Sequence, residues 1–142
     1  MEVEDNAFAI LRTASRLTAV MHTSWTQWRN RFRFEVFGEK GYLIVDGLGG
    51  SYGMETLIVG KRKVDVGAGA PRYIGGAPDE ERFEFPGPDV SWSEEWKEFT
   101  AAIREGREPC GSGRDGLMAN RVIEAVYGSS RANRPVKVEN EG

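Results

Sequence analysis

The sequence predicts an α+β domain: an open, mostly antiparallel β-sheet of about six or more strands, with two C-terminal helices packed on one face. Three observations carry this expectation. Short apolar runs separated by turn residues fill the chain as far as Phe85. The apolar period then changes to the helical three-and-four spacing over two stretches that each begin with a capping pattern. Strands do not alternate with helices, so a doubly wound parallel sheet is disfavoured, and strands first with helices later argues α+β.

The elements follow in order. Asn6 to Thr13 and Leu17 to Trp25 read as strands, with the hairpin-length Ala14-Ser15-Arg16 between them. In the second run Leu17, Ala19, Met21, Thr23 and Trp25 share one face, and Thr18, Val20, His22 and Ser24 the other. Neither face is strongly polar, so both are expected to be partly covered. Arg31 to Phe37 and Gly41 to Asp46 form a second hairpin through Gly38-Glu39-Lys40-Gly41. Its two glycines permit a tight reversal, which makes Glu39 and Lys40 turn residues rather than a catalytic pair. Gly47 to Gly53 is a glycine-rich loop, and Glu55 to Val59 a further strand. Lys61 to Pro78 reads as irregular, with a short strand at Lys63 to Val66. Arg82 to Phe85 is an edge strand stopped by Pro86-Gly87-Pro88.

Ser91-Trp92-Ser93-Glu94 predicts a capping box, and Trp92, Trp96, Phe99 and Ile103 form one apolar stripe of a helix that Gly106 ends. The second helix begins near Ser112 to Asp115, carries Ala119, Val122, Ile123, Val126 and Tyr127, and runs to about Arg131. Asp115 is read as a dipole partner or cap. Pro135 to Val138 is a last short strand. Residues 1–142 form a single domain, without an internal repeat or a linker long enough to divide it.

Composition narrows the function. With 19 basic and 22 acidic residues the net charge is −3, which gives no general attraction to nucleic acid or anionic membrane. No apolar run approaches the roughly 20 residues of a membrane span. The start, Met-Glu-Val-Glu-Asp-Asn, lacks the regions of a signal peptide. One cysteine, Cys110, excludes an internal disulfide and fits a reducing cytoplasm, so a cytoplasmic location is expected. Cys110 lies in a loop, and nothing supports its pairing with His22 as a nucleophile. His22, the one histidine, reads as a hydrogen-bonded structural residue rather than a general base. No His/Cys/Asp/Glu cluster has metal-ligand spacing.

Two segments invite a ligand. Gly47-Leu-Gly49-Gly50-Ser-Tyr-Gly53 suggests a phosphate cradle, but the sixth position from Gly47 is Tyr52 and a strand follows, so the dinucleotide fingerprint fails. Gly67-Ala-Gly69-Ala-Pro71 fails for similar reasons, and both are read as connections. The second segment is Trp25-Thr-Gln-Trp28-Arg-Asn-Arg-Phe-Arg-Phe34. As a strand it sets Arg29, Arg31 and Arg33 on one face and Trp28, Asn30, Phe32 and Phe34 on the other. Interleaved basic and aromatic residues can bind single-stranded nucleic acid, yet the chain is acidic and lacks the RNA-recognition signature. Two readings stay open. Either Phe32 and Phe34 are core and the arginines are solvated or ion-paired, or Trp25, Gln27, Trp28, Arg29 and Asn30 line a polar pocket at a strand end. In the second case indole faces stack on sugar C–H surfaces while amides and guanidinium bind hydroxyls or carboxylates.

Taken in order, Glu4-Asp5-Asn6-Ala7, Leu17-Thr18-Ala19-Val20, Glu35-Val-Phe-Gly-Glu-Lys-Gly41, Trp96-Lys-Glu-Phe99 with Ile103, Gly113-Arg-Asp-Gly116, Ser129-Ser130 and Pro135-Val-Lys-Val138 resemble the C-terminal domain of the Gfo/Idh/MocA family of NAD(P)-dependent oxidoreductases. The resemblance spans nearly the whole chain. It implies an open sheet that walls the substrate site and forms an oligomer interface, beside an N-terminal Rossmann domain that holds NAD(P) and a catalytic lysine. It implies sugar or polyol substrates. The glycine fingerprint and the lysine motif have no counterpart here, and the family's aspartate-and-histidine helix would precede Met1, so no catalytic residue and no bound cofactor are expected of this chain alone. The segment ahead of Glu35-Val-Phe-Gly38 often contacts substrate in the family, which implies substrate binding by Trp28 and Asn30, with Gln27 and Arg29 adjacent; the pocket reading above adds Trp25. A homo-oligomer through the open sheet is expected, with neither nucleic acid nor membrane as partner. The competing reading is a stand-alone sheet module for self-association or small-ligand binding.

Overall fold

A computed structural model describes residues 4–62, 64–65, 72–73 and 78–139. Its element order is β1 (Asn6–Arg12), β2 (Thr18–Ser24), β3 (Arg33–Phe37), β4 (Gly41–Asp46), β5 (Glu55–Lys61), β6 (Val64–Asp65), β7 (Arg72–Tyr73), β8 (Asp79–Phe85), α1 (Ser91–Glu105) and α2 (Gly113–Ala132). The α+β class and the antiparallel pairing are as expected. The strands are divided between sheets: β3-β4-β5-β8 form four strands, β1-β2 form a hairpin, and β6-β7 a short pair. Gly67 to Pro71 lies outside the described residues, as do both ends of the strand expected at Lys63 to Val66. The chain clusters into two compact units, residues 28–92 and residues 1–27 with 93–142.

In the first of these, β3 and β4 pair through Phe37↔Tyr42 and Arg33↔Asp46, with Gly38 N–H donating to Gly41 O across the turn at 2.8 Å. Alternation sorts the sheet into two faces. Phe34, Val45, Leu57 and Phe83 form one row of the first face; Val36, Leu43, Val59 and Glu81 form the next. Most of this apolar face is open: Phe34, Val36, Leu43, Phe83 and Phe85 are each about half exposed. Phe34 is therefore not core; Phe32 is half-buried. The opposite face carries rows of charge, with Arg33 paired to Glu35 at 2.7 Å and to Asp46 at 3.5 Å, and Arg82 paired to Glu84 at 3.0 Å. Across a third row Tyr42 lies over Gly60, where a side chain would collide with its ring, and its hydroxyl donates to Glu80. The Glu80 carboxylate holds the Tyr42 hydroxyl above its usual titration range. Edge strand β8 is longer than Arg82 to Phe85 and is studded with carboxylates, which discourage pairing with foreign strands.

In the second unit, β1 and β2 pair from Asn6↔Ser24 to Arg12↔Thr18. Strand β2 is exposed except at Ser24, which corrects the expectation that both faces are partly covered. A two-stranded sheet has no third strand to shield it. Ala9 and Ala102 are the buried apolar side chains among the described residues. His22 stacks on Phe8 with ring centroids 4.1 Å apart and planes 7° from parallel, so stacking rather than a hydrogen bond holds it. The α1 stripe of Trp92, Trp96, Phe99 and Ile103 is present but exposed.

Helix ends follow the sequence closely. At the start of α1, Asp89 Oδ1 accepts from Ser91 N–H at 2.9 Å, so Asp89 takes the capping role expected of Ser91 and Glu94. Ser91 holds the Asp89 carboxyl below its usual range. Gly106, at φ 63°, closes α1 with Arg107 N–H donating to Ala102 O and Gly106 N–H to Ile103 O, a Schellman arrangement. Arg107 then reaches back. Its guanidinium binds both Glu98 oxygens at 2.6 and 2.8 Å and Glu105 at 2.6 Å, while Cys110 N–H donates to Glu98 at 3.0 Å. Ser112 and Asp115 form the expected capping box of α2. At its other end Asn133, at φ 48°, turns the chain back. Residues 135–138 are not a strand: Arg121 donates to Glu139 O at 3.4 Å, and Pro135 cannot donate to a ladder.

The Arg107 guanidinium and the Cys110 amide pull the Glu98 carboxyl from the ordinary 4.5 down to about 2. A depressed carboxyl stabilises the fold fully above its unfolded value and loses that contribution as pH falls towards the folded one. Glu98→Gln is therefore expected to lower the melting temperature at pH 7. The difference from the native chain should shrink below about pH 4.5 and vanish near pH 2, as thermal melts followed by circular dichroism at graded pH can show.

Candidate functional site

The β3–β4 ladder does not stop at Arg33. Gly47 N–H donates to Phe32 O at 3.1 Å, one pairing step beyond Arg33↔Asp46. Residues that precede β3 are thus brought against residues that follow β4. Between them lies an open cleft of about 470 Å³, lined by Trp28, Arg29, Asn30, Ser51, Tyr52 and Gly53.

Each wall has a local cause. Residues 28 and 29 bend, and the strand begins only at Arg33. A strand would have sent Arg29 to the face opposite Trp28 and Asn30; the bend lets all three line one cleft. The opposing loop is folded on itself. Gly49 N–H donates to Glu55 Oε1 at 2.5 Å, Ser51 N–H to Gly49 O at 2.7 Å and Tyr52 N–H to Leu48 O at 3.3 Å, and Gly50 bridges Gly53. Gly47 has φ 85°, and a Cβ there would run into the Met54 carbonyl. Only a glycine serves this position without strain.

Of the residues predicted for one pocket, the structure brings together Trp28, Arg29 and Asn30. Trp25 and Gln27 do not line this cleft. They fall in the other unit, where Trp25 N–H extends the β1–β2 pairing by donating to Asp5 O at 2.7 Å. Ser51 and Tyr52 are wall residues outside the set expected from the sequence, because the glycine loop they belong to reads as a connection. The signal was the hairpin itself, whose register places the loop opposite Asn30.

The lining is one indole, one guanidinium, one carboxamide, two hydroxyls and a glycine, without a carboxylate. Such a set can stack on an apolar ring face and exchange hydrogen bonds with hydroxyls. It holds no acid–base pair for proton transfer. A nucleotide pyrophosphate does not fit the glycine loop: the N–H groups of Gly47, Gly49, Ser51 and Tyr52 already have acceptors, and strand β5 rather than a helix follows. Among the described residues no three His, Cys, Asp or Glu side chains are grouped to hold a metal ion, and no helix is long and apolar enough to cross a membrane. Cys110 is exposed, in its loop beside Glu98.

Gly47→Ala is expected to destabilise the chain by about 1–3 kcal/mol, since it forces a side chain into a positive-φ position against a carbonyl. Urea denaturation followed by tryptophan fluorescence measures this loss. Comparison with curated proteins and with solved structures finds no match. A family model does match, over residues 1–138, and its description is "Oxidoreductase family, C-terminal alpha/beta domain"; by that match the chain belongs to the Gfo/Idh/MocA oxidoreductase family, as its C-terminal domain.

Proposed function

We propose that this domain walls the substrate site of an NAD(P)-dependent oxidoreductase acting on sugars or polyols, and that it transfers no hydride by itself. The cleft of Trp28, Arg29, Asn30, Ser51 and Tyr52 carries the reading. An exposed indole offers a face to the C–H side of a sugar ring, and the polar groups around it suit a ring of hydroxyls. Hydride transfer then depends on the cofactor of the family's nucleotide-binding domain, and a cytoplasmic setting fits the single cysteine. The purified chain is expected to bind glucose or myo-inositol weakly, by saturation-transfer NMR, and to form no NAD(P)H from either. Trp28→Ala should weaken binding roughly tenfold, or ~1.4 kcal/mol. Turnover by the chain alone, or binding indifferent to Trp28→Ala, would sink the proposal.

Self-association is the second part of the reading. Phe34, Val36, Leu43, Phe83 and Phe85 leave an apolar sheet face open, and a contiguous face of this kind on a folded domain marks an interaction surface. A second copy of the chain is the proposed occupant, and the stand-alone association module remains the competing account of the same surface. Light scattering at micromolar concentration is expected to give a dimer or larger species, and Leu43→Lys to give a monomer. A monomeric native chain refutes the assignment.

A further inference from the structure

Resting on the reading of the cleft as the substrate site, we propose that the site selects a sugar acid, with Arg29 holding the carboxylate while Trp28 stacks on the ring. The argument starts from charge. Arg29 is the one charged residue in the lining, and no Asp or Glu stands beside it there. The arginines of the neighbouring sheet are committed: Arg33 to Glu35 and Asp46, Arg82 to Glu84. Arg29 has no hydrogen bond or ion pair among the described residues, and it stands next to the exposed Trp28. The carboxylates that flank the loop in sequence are also engaged, Asp46 by Arg33 and Glu55 by Gly49 N–H, and so is Asp89, which stands against Gly49 and accepts from Ser91 N–H. A lone guanidinium in a cleft without acids favours an anionic ligand and presents a planar fork that matches a carboxylate.

The same cleft is poorly made for a phosphate. Phosphate sites recruit several cations or a nest of free backbone N–H groups. Here one cation is present, and four N–H groups of the loop are used internally, by Phe32 O, Glu55, Gly49 O and Leu48 O. What remains for the ligand beyond the carboxylate is the Asn30 amide and the Ser51 and Tyr52 hydroxyls, which suit ring hydroxyls. The inferred ligand is therefore a monoanionic sugar acid with one face free of bulky substituents.

Titration with glucuronate, glucose and glucose 6-phosphate, read by calorimetry at low salt, tests this on the full chain. Glucuronate is expected to bind at least tenfold tighter than glucose and tighter than glucose 6-phosphate. Arg29→Gln should weaken glucuronate at least tenfold more than it weakens glucose, erasing the preference, and its circular dichroism should be unchanged because the native side chain has no partner among the described residues. Trp28→Ala should weaken glucuronate and glucose alike. Equal affinity for glucuronate and glucose, insensitive to Arg29→Gln but sensitive to Trp28→Ala, overturns the acid inference and leaves the site standing. Preference for glucose 6-phosphate overturns the carboxylate in favour of a phosphate. No binding of any probe, or binding untouched by either variant, overturns the site and the inference together.

Discussion

Antiparallel pairing between β3 and β4 determines where the chemistry of residues 28–92 can be. A hairpin folds its two flanks onto each other, so whatever enters β3 faces whatever leaves β4. The pairing of Gly47 N–H with Phe32 O carries that facing one step past the strands. Beyond it the ladder ends, because residues 28 and 29 bend and the loop from Gly47 coils on its own hydrogen bonds. Two backbones that have stopped pairing but remain side by side leave a cleft between them. The tight turn at Gly38 to Gly41 fixes the register from the other end. A slip of one residue would exchange the apolar and charged faces of the sheet as well as unmake the cleft.

The rest of the domain is held by polar devices more than by a deep core. The buried apolar side chains among the described residues are two alanines. The link between α1 and α2 is fastened by the Schellman closure at Gly106, the Arg107–Glu98 fork and the Ser112–Asp115 box. Each satisfies backbone or charged groups that a helix end would otherwise leave to water. Large side chains such as Trp96, Phe34 and Phe83 stay exposed. A chain with this much apolar surface in reach of water is suited to association with a further protein surface.

Local signals made most of the fold legible. Glycine positions, apolar period and capping residues located both helices and most strands to within a residue or two, because each rests on neighbours in the chain. The division of strands between sheets was not legible, since nothing local says which strand pairs with which across a long excursion. Asp89 was missed as the α1 cap because Ser91 has the commoner spacing. The extended tail at Pro135 has the composition of a strand, and only the absence of a paired neighbour among the described residues decides otherwise. In the site, three predicted residues came together for a reason opposite to the one assumed. Strand parity separated Arg29 from Trp28 and Asn30; the bend, which periodicity cannot report, unites them.

That bend also bears on how binding and association relate. The apolar face belongs to strands β3, β4, β5 and β8, whereas the cleft belongs to residues beyond the ladder's end. Side chains on the apolar face are set by alternation within the ladder and those in the cleft by the loop's own hydrogen bonds. The two can therefore change independently in sequence: a substitution such as one at Leu43 alters the face without touching the cleft, and one at Arg29 or Tyr52 alters the cleft without touching the face. Only the hairpin register is common to both. Constraint on this domain should accordingly be sharpest at Gly47, where a positive φ and the Met54 carbonyl admit no side chain, and at Gly60, where the Tyr42 ring fills the space, and loosest at the cleft's own polar residues, on which neither the register nor the loop depends.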